Sequence, residues 1–215
     1  MNWLDYLTEP STPRIETQRI YGVVIALVTN NQDPQGLGRV KLSFPWLSDH
    51  EETDWTRMVV PMAGNGRGFF FLPEVGDEVL VAFEQGDPTY PYVIGALWNG
   101  KDLPPEKNED GKNDIRLIKS RSGHIVRLND KPGEETIDII DKTGKNQITL
   151  DATRNVIKIQ SDQDIELSAP KGAIKLKANE IQLEATVNLN VQSKAQMDLK
   201  ADAILNLKGA IINLN

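Results

Sequence analysis

A short triplet of apolar, polar and apolar residues recurs through the last third of the chain and limits what that part can fold into. Eight triplets begin at Ile157, Ile165, Ile174, Ile181, Leu189, Met197, Leu205 and Ile212. The steps between them are 8, 9, 7, 8, 8, 8 and 7 residues. A period this regular is typical of a repeat architecture, in which each repeat is one small structural unit.

Each triplet has the alternation of a half-buried β-strand, with two side chains on one face and one on the other. The stretches between triplets are polar, as in 161–164 and 177–180, and suit corners rather than long loops. A helix is excluded because residues two apart lie on opposite sides of a helix. A single ribbon of octads buries too little apolar surface to offset the conformational entropy lost on folding. Its apolar side chains must therefore pack against other apolar side chains around a closed axis.

Two ways of closing the repeat are compatible with this pattern. Three copies of the chain can intertwine as a triangular prism built of short strands. Alternatively, three octads of one chain can form one coil of a solitary β-solenoid. The period is the same in both cases, so the repeat by itself leaves them open.

The composition changes sharply near residue 100. All 13 aromatic residues lie between Trp3 and Trp98. Residues 1–100 carry 6 Lys and Arg against 13 Asp and Glu, whereas residues 101–215 carry 18 against 18. The sequence therefore predicts a globule with an aromatic core, followed by a repeat whose narrow interior excludes rings.

The first region is predicted to be a small β-barrel. Strand-like runs joined by Gly and Pro turns occupy 20–28, 39–44, 58–62, 69–72, 78–84 and 92–98. Five or six short strands over about eighty residues are typical of an OB-fold. We therefore divide the chain into an extension at 1–19, a barrel at 20–100, a linker at 101–114 and a β-helical region at 115–215.

Wider repeats precede the octads. Triplets begin at Ile115, Val126, Ile137 and Ile148, each 11 residues after the last, and glycines lie between them. We interpret them as wider rungs with turns, which tighten to the octad period after residue 150. At the other end of the chain, Trp3, Leu4, Tyr6 and Leu7 form an apolar group that suits either contact with a partner or packing on the barrel.

Residues that carry chemistry are sparse. The chain has no cysteine and two histidines, His50 and His124, whose spacing suits neither a metal site nor a catalytic triad. The acidic barrel region argues against nucleic acid, because a groove that follows phosphates is basic. No cofactor is expected. The first residues do not resemble a signal peptide, so we expect synthesis in the cytoplasm.

Several motifs of the first region resemble one family, the central spike proteins of contractile injection machines. The motifs are DPQGLGRVKLSFPW at 33–46, WTRM at 55–58, LPEVGDEVLVAF at 72–83, GDP at 86–88, PYVIGALWN at 91–99 and SRSGH at 120–124. Similar features occur in phage baseplate assembly protein V, in the phage tail spike with a lysozyme insert, and in the VgrG spike of type VI secretion.

The resemblance implies an all-β homotrimer, with an N-terminal OB-fold barrel as a collar and a C-terminal intertwined triple-stranded β-helix as a needle. It implies a structural, non-enzymatic spike that pierces the target cell envelope when the sheath contracts. VgrG proteins carry a large hub region before the barrel, so a separate hub protein is expected on the N-terminal side. No lysozyme-like insertion lies between barrel and needle, so no cell-wall hydrolase is implied. No His-x-His of an iron tip follows His124 and the repeat ends without a cap, so a separate PAAR-type tip protein is expected at the C-terminal end.

Three groups of residues carry these expectations. Hub contact is assigned to Trp3, Leu4, Tyr6 and Leu7, and contact with the tip protein to Ile212, Asn213, Leu214 and Asn215. The expected trimer core consists of Ile157, Ile159, Ile165, Leu167, Ile174, Leu176, Ile181, Leu183, Leu189, Val191, Met197, Leu199, Leu205, Leu207, Ile212 and Leu214. The rival hypotheses are a solitary β-solenoid for binding or adhesion and an enzyme with an unrecognised site in the barrel.

Overall fold

The structure, a computed structural model, describes residues 19–47 and 52–213. The chain divides into two compact units, residues 1–160 and 161–215. The described residues contain β-strands and a single 3-10 turn at Glu84–Gly86, but no α-helix. The predicted all-β class is therefore confirmed, whereas the expected hub-contact residues near the start of the chain lie outside the described residues.

A five-stranded barrel occupies the first part of the chain. Its strands are β1 (Val23–Asn30), β2 (Lys41–Ser43), β3 (Arg57–Met58), β6 (Glu78–Phe83) and β7 (Pro91–Ala96), with a small hairpin of β4 (Ala63–Gly64) and β5 (Arg67–Gly68) beside them. The strand order is β2-β1-β6-β7-β3, and only β3 and β7 run parallel. Val40 and Thr56 exchange backbone hydrogen bonds of 3.0 and 2.8 Å, which close the sheet between β2 and β3.

The barrel core is mainly aliphatic. Alternating residues of β1, β2, β6 and β7 point inward, and the buried set is Ala26, Val28, Val40, Leu42, Phe44, Val79, Val81, Phe83 and Val93. The prediction of an aromatic core is wrong, because most rings of this region lie at the surface, including Phe70 at 77% exposure and Trp98 at 70%. A barrel of five short strands is too narrow to enclose many rings, and β-branched side chains fill it at native density.

The loop between β1 and β2 is organised by one carboxylate. Asp33 accepts hydrogen bonds from the backbone N–H groups of Gln35, Leu37 and Arg39, and it forms a salt bridge of 2.8 Å with the Arg39 guanidinium. The Arg39 side chain, aided by these N–H groups and opposed by burial, holds the pKa of Asp33 far below its usual value. The motif at 33–39 therefore folds the loop rather than binding a ligand.

Five consecutive strands form a second sheet in the same unit. They are β8 (Ile115–Lys119), β9 (Ile125–Asn129), β10 (Thr136–Ile140), β11 (Gln147–Asp151) and β12 (Val156–Gln160). Each pairs antiparallel with the next, so the sheet is a meander. The predicted strands at 11-residue spacing are confirmed, and what we interpreted as wider rungs are the strands of one antiparallel sheet. The first triplet of the octad series belongs to its last strand.

The second unit repeats one conformation. Bends or turns occur at 162–163, 170–172, 179, 186–187, 194–195, 202–203 and 210, so the corners recur about every eight residues. Between 161 and 213 no residue belongs to a strand or a bridge of its own chain. The octad period read from the sequence is therefore present in the backbone, but the described residues of the same chain do not supply the strand partners that the pattern requires.

Candidate functional site

The meander carries a broad apolar face that nothing in the chain covers within the described residues. The strand register aligns its side chains in two rows, Ile118, Val126, Ile139, Ile148 and Ile159 in one, and Leu128, Ile137, Leu150 and Ile157 in the other. All nine side chains are exposed, from 38% for Ile148 to 71% for Ile157. A contiguous apolar surface of this kind marks an interaction site.

The opposite face of the meander has a polar cluster at its centre, with the half-buried side chains of Ile115, Leu117, Ile125 and Ile140 around it. Asp138 lies at its centre and is only 4% exposed. Its carboxylate accepts hydrogen bonds from Thr149 Oγ1 at 2.8 Å, Thr136 Oγ1 at 3.0 Å, and Arg127 Nη2 at 3.0 Å. The two faces thus differ, because the side chains of the apolar rows are exposed whereas those around Asp138 are half-buried or buried.

Hydrogen bonds decide the charge state of Asp138. Burial raises its pKa, but the hydrogen bonds from Thr149, Arg127 and Thr136, together with the Arg127 charge, outweigh burial and hold the pKa below the usual 3.8. A carboxylate with a lowered native pKa stabilises the fold fully above its unfolded pKa. That contribution is lost as pH falls through the native pKa.

We predict that Asp138→Ala lowers the free energy of unfolding by about 1–3 kcal/mol at neutral pH, because three donors lose their acceptor. Asp138→Asn keeps the shape and should flatten the loss of stability below about pH 4. Thermal unfolding followed by circular dichroism at pH 7 and pH 3 measures both effects. The control is Asp130→Asn, whose side chain is 59% exposed. Equal pH profiles for Asp138→Asn and wild type would contradict the assignment.

In the single chain, the octad side chains that we expect to form the trimer core are exposed. The first apolar residue of a triplet is 54% exposed at Ile165, 53% at Ile174 and 53% at Ile181. The second is 70%, 68% and 67% exposed at Leu167, Leu176 and Leu183. Each octad therefore presents its apolar pair in the same environment. Of the remaining expected residues, Leu214 and Asn215 lie outside the described part of the chain.

In the described part of the chain, the side chains of the types that bind metal ions or act in catalysis do not form a cluster. No group of three or more His, Asp or Glu side chains there is arranged to hold a metal ion. His124 Nδ1 accepts a hydrogen bond of 3.2 Å from the Lys142 backbone N–H, so this histidine joins two turns of the meander. His50 lies outside the described residues. The described residues also include no helix with the length and hydropathy needed to cross a membrane.

Two surface features of the first unit were missed from the sequence. Arg121, in the turn between β8 and β9, donates to both carboxylate oxygens of Glu74 at 3.1 Å, which ties that turn to the barrel. A groove of about 570 Å³ runs beside Phe69, Phe70 and Phe71, which were predicted to form a strand but belong to none. The run of three aromatic residues suited either state, because strands and exposed grooves both use rings.

Comparison with known proteins identifies the barrel. Residues 24–98 match the family model described as the type VI secretion system/phage-baseplate injector OB domain. The barrel belongs to this family. The matched injector OB domain runs from the second residue of β1 to two residues past β7, and so takes in the strands β1 to β7.

Three curated relatives match between 55% and 64% of this chain, and two of them are named as spike proteins. The actin cross-linking toxin VgrG1 of Vibrio cholerae is 30% identical over 124 residues, which is 55% of this chain and 10% of that protein. The type VI secretion system spike protein VgrG1c of Pseudomonas aeruginosa is 29% identical over 136 residues, or 59% and 18% of the two chains. The spike protein VgrG3 of Vibrio cholerae is 29% identical over 145 residues, or 64% and 14%.

These matches make the chain VgrG-like, of the spike and baseplate type that its barrel motifs resemble. The chain spans less than a fifth of the length of these relatives, with shares of 10%, 18% and 14%. The actin cross-linking named for one relative is a property of that protein.

Proposed function

We propose that the chain is the structural central spike of a contractile phage tail or tail-like injection particle. Sheath contraction drives the spike forward, and its rigid needle pierces the target cell envelope. The observation that carries this proposal is the uncovered apolar face of the meander, followed by octads without strand partners, on a chain with an injector OB domain.

Backbone hydrogen bonding supports closure between copies rather than within one chain. Buried N–H and C=O groups in proteins are almost always paired. A solitary solenoid would pair its successive coils with each other, whereas residues 161–213 contain no such ladder. Partners supplied by further copies satisfy these groups and cover the apolar residues in the same step. This favours three intertwined chains over the solitary solenoid.

The meander fits the same closure. One apolar row crosses all five strands and the other crosses β9 to β12, so three such sheets can turn their apolar faces toward one axis. The polar face around Asp138 then remains in solvent. With about 25 cal/mol gained for each Å² of apolar surface removed from water, nine side chains per copy give a strong association. A closed β-structure with a dry aliphatic core is also stiff, as a needle that carries load requires.

The partners follow from the injector setting. The collar is proposed to bind a hub protein on the N-terminal side through Trp3, Leu4, Tyr6 and Leu7. The last residues, from Ile212 onward, are proposed to bind a PAAR-type tip protein. The protein is proposed to act in the baseplate of the particle, without a cofactor, without nucleic acid and without catalytic activity of its own.

Absolute mass in solution tests the proposal. Light scattering after size exclusion should give about 72 kDa, three times the 24.0 kDa of one chain. The mass should remain the same on dilution across the accessible range, because the chains are intertwined. A mass of one chain would refute the triple-stranded architecture and leave the solitary solenoid as the better explanation.

A further inference from the structure

The middle residues of β9, β10 and β11 form a polar column on one face of the meander. Arg127 of β9, Asp138 of β10 and Thr149 of β11 are direct neighbours in the strand register. Their side chains bond along the column, with 3.0 Å from Arg127 to Asp138 and 2.8 Å from Thr149 to Asp138. Opposite or complementary polar groups therefore occupy adjacent strands at this position.

The octads have the same arrangement in their sequence. The middle residues of the triplets in the second unit are Glu166, Lys175, Gln182, Asn190, Asp198, Asn206 and Asn213. The column begins with an acid followed by a base and continues with two amides. Residues at these positions would form cross-strand neighbours about 4.8 Å apart once the octads are stacked as strands.

Neither charge of the first pair is matched within the described part of its own chain. Glu166 and Lys175 make no ion pair or side-chain hydrogen bond there. Their triplets also pair with no strand among residues 19–47 and 52–213. A second copy is the partner that can satisfy the backbone and the side chains together.

We propose that Glu166 of one copy pairs with Lys175 of a neighbouring copy on the same face, and that this pair sets the register between the chains. The proposal rests on the trimeric spike proposed above. A slip by one residue would turn Glu166 inward and is already excluded by the apolar pattern. A slip by one whole octad keeps the apolar pattern, so only the middle residues can distinguish it. That slip places Glu166 beside Gln182 and leaves Lys175 without an acid.

A charge-reversal cycle tests the pair. Glu166→Lys and Lys175→Glu each place like charges on adjacent strands in three places per trimer. We expect each to lower the thermal midpoint of the trimer by about 2 °C at low salt, and by less at high salt. The double variant restores opposite charges and should lose less than the sum of the two single losses.

Asp164→Lys is the matched control, since it makes the same charge change two residues before Glu166. The residue at the same position of the next octad is Ala173, so Asp164→Lys disrupts no pair of opposite charges between octads. A fall in the midpoint equal to that of Glu166→Lys, with simple additivity in the double variant, would overturn the proposed pair.

Cross-linking gives a second readout that does not depend on small shifts. The natural chain has no cysteine, so Glu166→Cys with Lys175→Cys introduces the only thiols. Neighbouring strands bring their Cα atoms within the range of a disulfide, about 4.4–6.8 Å. Oxidation should yield a covalent band of three chains, and neither single cysteine should do so.

The outcomes separate the two proposals. A trimer by mass without the three-chain band and without coupling in the cycle would overturn the register pair and leave the spike standing. A protein of single-chain mass would overturn both proposals. A trimer with the band and with coupling would support both.

Discussion

Ile181→Asp is expected to leave the protein monomeric. Ile181 is the first apolar residue of a central octad and is 53% exposed in the single chain, so the substitution costs the monomer little. In the proposed trimer it would bring three carboxylates together on a dry axis. Burying unpaired charges costs far more than the few kcal/mol by which a protein is stable. Light scattering at several concentrations measures the result.

Gln182→Asp is the matched control for that substitution. It adds the same negative charge at the next residue, which the alternation of the triplet places on the opposite face. We expect Gln182→Asp to keep a mass of three chains. If Ile181→Asp also formed a trimer of normal thermal stability, the assignment of the octad core would be refuted.

Leu42→Ala is expected to destabilise the barrel by about 2–5 kcal/mol, since a fully buried leucine is replaced and a cavity remains. Leu42 has 0% exposure and lies in β2, between the closing contact with Thr56 and the long strand β1. Urea unfolding followed by tryptophan fluorescence reports on this region, because all 4 tryptophans lie at or before Trp98.

The matched control for the barrel is Leu103→Ala, which makes the same chemical change at a side chain with 66% exposure. Its effect should stay within about 0.5 kcal/mol. Equal losses at Leu42 and Leu103 would contradict the core described for the barrel.

Periodicity predicted more of this protein than composition did. The octads and the four triplets at 11-residue spacing appear in the backbone as corners and strands, because alternation states directly which side chains share a face. The barrel class was also predictable, from short runs separated by Gly and Pro. Whether neighbouring strands run parallel or antiparallel was not predictable, since the same triplet suits a rung of a β-helix and a strand of a hairpin.

Composition led to a wrong prediction for the barrel core, which is too narrow to enclose many aromatic rings. The aromatic residues were assigned to the barrel core, but most are exposed and form surfaces such as the groove at Phe69–Phe71. Hydrophobicity alone does not tell a ring that fills a core from one at a contact surface. The bonds from Arg127 and Thr149 to Asp138 were also beyond the sequence, because they depend on a register that links residues 11 apart on separate strands.

In the proposed trimer the octads depend on other copies, and this determines the order of folding. The meander is built from hairpins of near neighbours in sequence, so it can form quickly on one chain. Residues 161–213 have no such strand pairing, so in the proposed trimer they gain it only when copies meet, and their ordering then depends on concentration. Each chain would leave synthesis with the barrel and the meander folded and the octads still unpaired. Assembly would then begin where the meanders of the copies meet and proceed along the octads toward the C-terminus.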